Sequence, residues 1–442
     1  MKDPLIELEG TTLEGGGQLL RIATGLAALT ALPIQIQNIR GKRSSGGGLK
    51  GQHLSAVNWL GWACGATLEG NKRGSKTLLF RPSTEVRPTQ AASHPRYLQS
   101  NPVPQRHTRP DLAQRTLPNG TRVLELRIEQ STTGAIALVL QAILPYLFFA
   151  GHTFSPLSVD PCSPLPIYLT ITGGTNVTFS PSLDYLNAVL FPVLERIGLP
   201  PVQTTIHKRG WCHGPSDVGC VSFLLTPLPR GTRLPAFSLL TRGRVVKIEA
   251  YVLAPMGMEG MFLSPLREAL RRWMPGLGFG EEDRVELEMC YEASGHSKRL
   301  YLLLVAVTDK GWRLGRDWLY DKKIGEGRKD GVSKAVNELV EGVVRDLGKE
   351  LEHGACVDEY LRDQLVVYQA LAEGKSHVFG GEDQEGQLVK GSLHFQTARW
   401  VVNEVLDLGF DEEGSCQGLG LAAGEVYADR EADTDTEARS TG

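Results

Sequence analysis

The chain has 442 residues, of which 41% are hydrophobic and 22% are charged, as expected of a globular protein that buries a large core. Its formal net charge of −3 excludes a basic field over the whole molecule, so any contact with nucleic acid must come from local patches. Seven cysteines without a C-x-x-C pair indicate neither a disulfide framework nor a zinc site, and they favour a reducing intracellular compartment.

Neither the start of the chain nor its most apolar stretch predicts a membrane protein. The opening sequence, MKDPLIELEG, lacks the pattern of a signal peptide. The apolar run 136–150 is too short, and too interrupted by proline, to cross a bilayer. We therefore expect no membrane partner.

A β-α-β-α-β-β order is predicted for the first part of the chain, around a helix that follows the glycine triplet Gly15–Gly17. Pro33 ends this helix, and Gly65 ends the next one. Gln18 and Arg21 are three positions apart, so they share one helix face beside the glycine turn. The predicted elements are strands over 5–8, 34–39, 67–69 and 77–80, and helices over about 18–32 and 53–64.

Two glycine-rich loops bracket the first helix, and both carry charged and amide side chains. Helix N-termini and bare backbone N–H groups accept phosphate, and glycine lets a backbone approach it closely. The joint pattern predicts a site for a polyanion, whereas a glycine triplet alone is equally consistent with an ordinary turn. The residues concerned are Glu14, Gln18 and Arg21 around the first loop, and Arg40, Lys42, Arg43, Lys50, Gln52 and His53 around the second.

The composition changes abruptly at 81–119, where seven prolines and six arginines stand against two acids. This segment has almost no apolar periodicity, so we predict a disordered or loosely packed loop. The β-α-β pattern then recurs, and a further β-α-β-β-α block is predicted to be a mainly structural insert. The predicted elements are strands over 123–128 and 167–171, helices over 133–149 and 184–197, and the block from 245 to 350.

The second unit and the last part of the chain add polar residues on helices. Gln141 interrupts an apolar helix, as a satisfied core amide or as a ligand at a place comparable with Gln18. Ser392 is a good N-cap, which puts His394 in the first helical turn. The helix dipole disfavours an imidazolium there, so we predict a neutral, nucleophilic ring; a solvated or capping histidine is the alternative. In the helix 357–372, the residues off the apolar stripe are Tyr360, Asp363 and Gln364.

The motif order EGGGQ, RxxRS, QH, LQ, GGTN, EYLRDQL and LHxQT resembles that of the RNA 3′-terminal phosphate cyclase family. The resemblance extends over the chain except for 81–119 and the acidic tail. It implies an α/β (α+β) fold, in which repeated βαβαββ units form a large domain with a smaller inserted α/β domain. The implied boundaries are 1–243 for the first part of the core, 244–354 for the insert, 355–424 for the last part of the core with the catalytic histidine, and 425–442 for a disordered acidic tail.

This resemblance implies an enzyme that uses ATP to convert an RNA 3′-terminal phosphate into a 2′,3′-cyclic phosphodiester. The implied intermediate is AMP bound covalently to His394, with release of diphosphate and then of AMP. The expected partners are ATP and RNA 3′ ends, and the expected cofactor is Mg²⁺ or another divalent cation. A nuclear location rests on the resemblance alone, and the oligomeric state stays open.

The family's functional positions carry over residue by residue. Glu14 is the candidate contact for the divalent cation, the alternative being a carboxylate that satisfies the helix dipole. The implied catalytic residues are His394, Glu14, Arg21 and Arg40; the implied ATP-binding residues are Gln141, Tyr360, Leu361, Arg362, Asp363 and Gln364; and the implied RNA- or phosphate-binding residues are Gln18, Arg43, Gln52 and His53.

Two other classes of function compete with this one. Cyclase-like proteins that kept the fold, lost the chemistry and act in ribosome biogenesis lack the EGGGQ turn and the histidine, and both are present here. A plain RNA-binding module would not need Tyr360, Asp363 and Gln364 so far along the chain from the basic loops. The stretch 208–217 departs from the family pattern by losing a glycine triplet, which puts substrate contact there in doubt. For 81–119 we favour a surface insertion over an extra RNA-facing arm, because long surface loops cost little free energy to insert.

Overall fold

A computed structural model of the chain describes most of its residues. The predicted acidic tail lies outside the described residues from position 426 onward, and so does 84–111 of the predicted loose segment. The end of that segment is ordered, because residues 114–116 form a strand, which corrects the prediction of a loop throughout 81–119. The described residues are 5–43, 46–83, 112–155, 159–160, 162–212, 218–277, 285–322 and 329–425.

The first unit combines a four-stranded sheet with two helices. Its elements are β1 (Ile6–Glu9), α1 (Gly17–Thr30), β2 (Ile34–Gln37), α2 (Gly51–Cys64), β3 (Thr67–Glu69) and β4 (Leu78–Arg81). β1 and β2 run parallel, and β4 pairs antiparallel with both β2 and β3, in the order β1-β2-β4-β3. Parallel neighbours need a crossover, which α1 provides. The predicted β-α-β-α-β-β order is therefore confirmed.

The second unit repeats this arrangement. Its elements are β5 (Gln114–Thr116), β6 (Arg122–Ile128), α3 (Ile136–Phe149), β7 (Ile167–Gly173), α4 (Leu183–Tyr185), a π-helical segment (Leu186–Leu190), α5 (Phe191–Arg196), β8 (Val202–Lys208) and β9 (Gly219–Leu225). β6 and β7 are parallel, β9 is antiparallel to β7 and β8, and β5 extends the edge beside β6. The strand order and senses of β6-β7-β9-β8 thus match those of the first unit.

A third, shorter unit is divided by the insert. It begins with β10 (Ser238–Leu239), after which the insert follows as β11 (Val245–Ala254), α6 (Leu263–Trp273), β12 (Glu286–Ala293), β13 (Tyr301–Thr308), β14 (Arg313–Leu319) and α7 (Lys329–Glu352). The unit resumes with α8 (Glu359–Leu371), β15 (Glu373–Val378), α9 (Leu393–Leu406) and β16 (Ser415–Leu419). β15 lies between β10 and β16, whereas the insert has its own sheet in the order β12-β11-β13-β14.

Two hydrophobic cores meet at the sheet of the insert. In β13, Leu302 and Leu304 belong to the core beneath α6 and α7, whereas Leu303 and Val305 belong to the main core. Alternate residues of a strand face opposite sides of the sheet, so this strand is buried on both faces and its sequence is a continuous apolar run. In the main core α1 packs against α2, α3 and α9. None of the described helices is long and apolar enough to cross a membrane.

Candidate active site

The glycine turn before α1 has a bare backbone surrounded by charged side chains. A Cβ atom on Gly16 would overlap the carboxylate of Glu14, and one on Gly17 would lie 2.7 Å from both Arg21 Nη1 and His53 Nε2. The two glycines therefore make room for these side chains against the backbone, and a bare backbone at the start of a helix suits a phosphate. We call this surface, Gly16 and Gly17 with the side chains of Glu14, Arg21 and His53, the glycine floor.

Arg21, one of the side chains of the glycine floor, is buried and is held by two amides. Its Nη2 donates to Gln18 Oε1 at 2.7 Å, and its Nε donates to Gln141 Oε1 at 2.9 Å. Burial lowers the pKa of Arg21 to about 10, so the group keeps its charge at neutral pH. Gln18 and Gln141 come from different units and fix one guanidinium. Gln141 is therefore a hydrogen-bonded amide beside Arg21, and its role in ATP binding stays a prediction.

A narrow crevice between α1, α3 and α8 continues from Arg21. Gln141, Asp363 and Gln364 line it, and its volume of about 20 Å³ is room for roughly one water molecule. Burial raises the pKa of Asp363 to about 8, against the opposing effect of the Arg21 charge. The Gln364 Nε2 donates to Tyr360 O within the helix, at 2.9 Å. Arg21 is thus the charged residue that joins the crevice to the glycine floor.

Replacement of Asp363 by asparagine is expected to stabilise the protein in mildly alkaline solution. The pKa of Asp363 is about 8 in the folded protein and near 3.9 in an unfolded chain. The folded state therefore retains a proton that the unfolded state loses, so the free energy of unfolding falls as pH rises from about 4 to about 8. Asparagine cannot ionise, and the variant should gain on the order of 5 kcal/mol over the wild type near pH 8, because the two pKa values differ by about four units.

Urea unfolding of both proteins near pH 5 and near pH 8 measures this difference. The exposed Asp321 of the insert offers the matched control, Asp321→Asn, for which no such gain is expected. If the difference in the free energy of unfolding between the wild type and Asp363→Asn were the same at both pH values, the predicted protonation would be contradicted.

His53, predicted to bind RNA or phosphate, and Arg40, predicted to be catalytic, are both buried. His53 Nδ1 accepts the Lys50 backbone N–H at 3.2 Å, which leaves the hydrogen on Nε2, facing the glycine floor. Burial, with the charges of Arg21, Arg40 and Lys50, lowers the pKa of His53 to about 3, so this ring is a neutral donor. Arg40 is buried, and its Nη1 donates to Gly48 O at 3.3 Å.

Arg43 and Gln52 take different positions beside the floor. Arg43 is half exposed and forms an ion pair with the carboxylate of Glu14. The other oxygen of that carboxylate, Oε2, is buried and has no hydrogen-bond partner within the described part of the chain. Gln52 is half-buried on α2, where its Cβ lies beside Gly134 at the approach to α3. The structure therefore brings Arg43 to Glu14 and places Gln52 further along.

His394 stands in the first turn of α9, as predicted. Ser392 Oγ accepts the Phe395 N–H at 3.1 Å and caps the helix. The side chain of His394 is exposed, but neighbouring atoms still withdraw part of its ring from water. This desolvation lowers the pKa of His394, the charge of Arg21 lowers it further, and Glu359 opposes the shift. The direction of this shift agrees with the predicted neutral ring, and its causes are burial and the charges of Arg21 and Arg43.

Thr397 joins the glycine turn to α9, and sequence reasoning did not assign it to the site. Its Oγ1 accepts the Glu14 backbone N–H at 3.2 Å and donates to Leu393 O at 2.7 Å. The side chain is fully buried. Thr397 is the last residue of the LHxQT motif, which could have pointed to it. Its partner Glu14, however, is 383 positions away and could not be found from spacing.

The run 360–364 does not face one site. Leu361 lies in the main core and its N–H donates to the capping Asp358, so this geometry does not support the implied role of Leu361 in ATP binding. Arg362 stacks on Phe395 at 4.3 Å and donates to Val389 O at 3.0 Å, away from the crevice. Their roles stay predictions.

Tyr360 and Arg209 are held by the insert. The partly exposed ring of Tyr360 packs 4.2 Å from the Arg316 guanidinium of β14. Arg209 donates to both carboxylate oxygens of Asp184 at 2.9 Å, and to both of Glu292 at 2.6 Å. Two carboxylates neutralise this arginine, so no phosphate contact is assigned to it. Residues 213–217 of the divergent stretch lie outside the described residues.

These contacts define a class of site: bare glycine backbone, three guanidinium groups, two imidazoles and one carboxylate lie together near the starts of α1 and α9, a set that suits an anion. The chain belongs to the RNA 3′-terminal phosphate cyclase family, whose model matches residues 12–104 and 115–411. The break in this match falls within the predicted insertion 81–119.

Relatives of this family cover nearly the whole chain. The RNA 3′-terminal phosphate cyclase of Pyrobaculum neutrophilum is 28% identical over 408 residues, which are 92% of this chain and 95% of that protein. That of Drosophila melanogaster is 26% identical over 426 residues, covering 95% and 98%. That of Pyrococcus furiosus is 28% identical over 428 residues, covering 97% and 100%. The predicted family, enzyme class and fold class are confirmed.

Proposed function

We propose that the protein catalyses the ATP-dependent cyclisation of RNA 3′-terminal phosphates, with AMP carried covalently on His394. The observation that carries this proposal is the hydrogen bond from Glu14 N–H to Thr397 Oγ1, because it joins the glycine floor to the helix that begins beside His394. Family membership supports the same activity.

Three displacements at phosphorus account for the reaction. An imidazole nitrogen of His394 attacks the α-phosphorus of ATP, and diphosphate leaves. An oxygen of the RNA 3′-phosphate then attacks the phosphorus of the bound AMP, which breaks the P–N bond and frees the imidazole. The neighbouring 2′-hydroxyl finally attacks the activated 3′-phosphorus, loses its proton and expels AMP as the cyclic phosphodiester forms.

The charges around the glycine floor suit these displacements. Arg21 is fixed by two amides, so it is already oriented toward oxygens that gain negative charge in each transition state. Its charge also lowers the pKa of His394, which favours the neutral nucleophile. Arg43, being half exposed, is free to leave Glu14 and follow a phosphate.

Glu14 would hold the divalent cation. Its Oε2 is buried without a hydrogen-bond partner among the described residues, and a buried carboxylate oxygen needs one. No group of three or more His, Cys, Asp or Glu side chains in that part of the chain could hold a metal ion. Mg²⁺ commonly binds one or two carboxylates together with substrate phosphates and water, where it neutralises phosphate charge. One carboxylate beside a phosphate site fits this pattern.

Replacement of Thr397 by valine is expected to raise the Mg²⁺ concentration needed for half-maximal cyclisation about tenfold. Valine has nearly the same shape but cannot accept the Glu14 N–H, so Glu14 loses its tie to α9. Titration of initial rates with Mg²⁺ at saturating ATP and RNA measures this. Thr397→Ser restores the hydroxyl and should recover the wild-type titration. If both variants and the wild type had the same Mg²⁺ dependence, the proposed role of Thr397 in positioning Glu14 would be contradicted.

Product analysis tests the proposed function directly. A 5′-labelled oligoribonucleotide with a 3′-phosphate is incubated with the protein, ATP and Mg²⁺. The expected product is lighter by one water and resists alkaline phosphatase, and neither change should appear without ATP. A folded protein that binds this RNA and leaves it unchanged would instead favour the RNA-binding role in ribosome biogenesis. A nuclear location belongs to the proposal and is checked by imaging the tagged chain.

A further inference from the structure

We propose that the RNA strand upstream of the 3′-phosphate lies along a basic surface that extends from the second glycine-rich loop to the turn between β3 and β4. We call it the basic track. The inference rests on the proposed function, because it assigns the remainder of the same substrate. The residues of the basic track are Lys42, Arg43 and Lys50 from the loop, and Lys72, Arg73 and Lys76 from the turn.

Backbone contacts hold the turn against the loop. Leu49 N–H donates to Ser75 O at 3.0 Å, and Gly74 N–H donates to Leu49 O at 2.9 Å. A Cβ on Gly48 would overlap the carbonyl of Gly74, and Gly48 has φ +87°, so only glycine permits this approach. The Ile39 N–H also donates to Lys76 O at 2.9 Å. The cations of the turn therefore continue the surface of the loop.

The basic track has a local excess of positive charge in a chain whose net charge is −3. All six side chains are exposed, and Arg43, through Glu14, is the one with an ion pair among described residues. The charges of Arg40 and Arg43, with burial, lower the pKa of Lys50, as repulsion between cations requires. The turn from Gly70 to Lys76 contains no acid.

This chemistry fits the backbone of a single-stranded RNA. Lysine and arginine side chains that lack carboxylate partners bind phosphates and release counterions, which makes binding salt-dependent. No aromatic residue occurs from Arg40 to Lys50 or from Gly70 to Lys76, so the track offers no stacking platform for bases. Phosphate contacts position a strand and carry no sequence information. We therefore expect length-dependent binding that does not depend on sequence.

Neutralising the turn tests the proposal. The variant combines Lys72→Gln, Arg73→Gln and Lys76→Gln, none of which touches the glycine floor, and binding is measured by fluorescence anisotropy with 3′-hydroxyl RNA that cannot react. For a strand of about 16 nucleotides the affinity should fall at least tenfold in about 0.1 M salt. The slope of log affinity against log salt should become shallower by about 2, since each phosphate contact in single strands contributes about 0.7.

Two controls decide what a loss of affinity means. A dinucleotide, which ends inside the site, should bind both proteins equally. Replacement of three exposed cations of the insert, Arg267, Lys310 and Lys334, by glutamine should leave the affinity for the longer strand within about twofold, as expected for charges remote from the bound phosphates. An unchanged affinity and slope in the turn variant, an equal loss for the dinucleotide, or an equal loss in the insert variant would each overturn the proposal.

Failure of the proposed function would look different. If the wild type bound the longer RNA with the steeper salt slope but formed no cyclic end and no AMP adduct, the basic track would stand and the cyclisation would not. If the turn variant kept the AMP adduct and the wild-type affinity for RNA, the cyclase would stand and the basic track would not.

Discussion

Replacement of His394 by alanine is expected to abolish the covalent AMP adduct and to lower cyclisation at least about a thousandfold, because removal of a nucleophile leaves only binding and electrostatic stabilisation. His394 is exposed at the start of α9, where partial burial of the ring, and then the charge of Arg21, lower its pKa. The protein is incubated with α-labelled ATP and Mg²⁺, denatured, and analysed by mass spectrometry. An acid-labile AMP adduct on His394 is expected in the wild type.

A second histidine serves as the matched control for this experiment. His296 lies in the insert, where its Nδ1 accepts the Lys298 N–H at 3.2 Å, and His296→Ala should label as the wild type does. An adduct that persists in His394→Ala and maps to Lys50 would instead identify Lys50, in the second glycine-rich loop, as the nucleophile. The absence of an adduct in a folded wild type that cyclises RNA would exclude a covalent intermediate.

Replacement of Arg21 by methionine is expected to lower adduct formation between about a hundredfold and a thousandfold, the range for losing one preorganised donor to transition-state charge. Methionine matches the length of the arginine stem but leaves Gln18 Oε1 and Gln141 Oε1 without their donor. The variant also removes the charge that lowers the pKa of His394. As the solution is acidified, His394 of the variant should therefore become protonated at a higher pH than His394 of the wild type.

Single-turnover labelling across a pH series measures both effects. The rate of adduct formation should fall at acid pH in both proteins, with the acidic limb of Arg21→Met displaced toward higher pH. Arg21→Lys keeps the positive charge but lacks the planar guanidinium, so its rate of adduct formation should lie between those of the wild type and Arg21→Met. Arg242, which donates to Leu351 O at 2.7 Å, provides the control Arg242→Met. An unshifted acidic limb would mean that Arg21 does not act on His394.

The parts of the site that the sequence predicted correctly depend on short spacing. Ser392 caps α9 two positions before His394, and the helix start followed from those residues alone. Gln18 and Arg21 share a helix face and are hydrogen-bonded to each other, as a spacing of three implies. The β-α-β-α-β-β order of the first unit was visible in the same way, since apolar periodicity is local, whereas the repetition of the complete unit was implied only by the family resemblance.

Contacts between distant segments were beyond such reasoning. Nothing in the spacing of Gln141 shows that it accepts from Arg21, 120 positions earlier. Leu361 was implied in ATP binding by its place in a motif, although its own apolar stripe favoured the core. Neither β9 nor β8 was predicted from the sequence, although Val202, Thr204 and Ile206 of β8 alternate with exposed residues. The salt bridges of Arg209 likewise depend on the insert, which no motif describes.

The bond between Glu14 and Thr397 has a consequence for how the protein is made. It joins residues 383 positions apart, and β10 likewise finds its parallel partner β15 only beyond the insert, in the register Ser238↔His377. Contacts of such long range form late and slow the folding of a chain. During synthesis the first two units can form while the ribosome still works on the third. A nascent or prematurely ended chain would thus carry the glycine floor without the nucleophile, and activity would begin only with a nearly complete polypeptide.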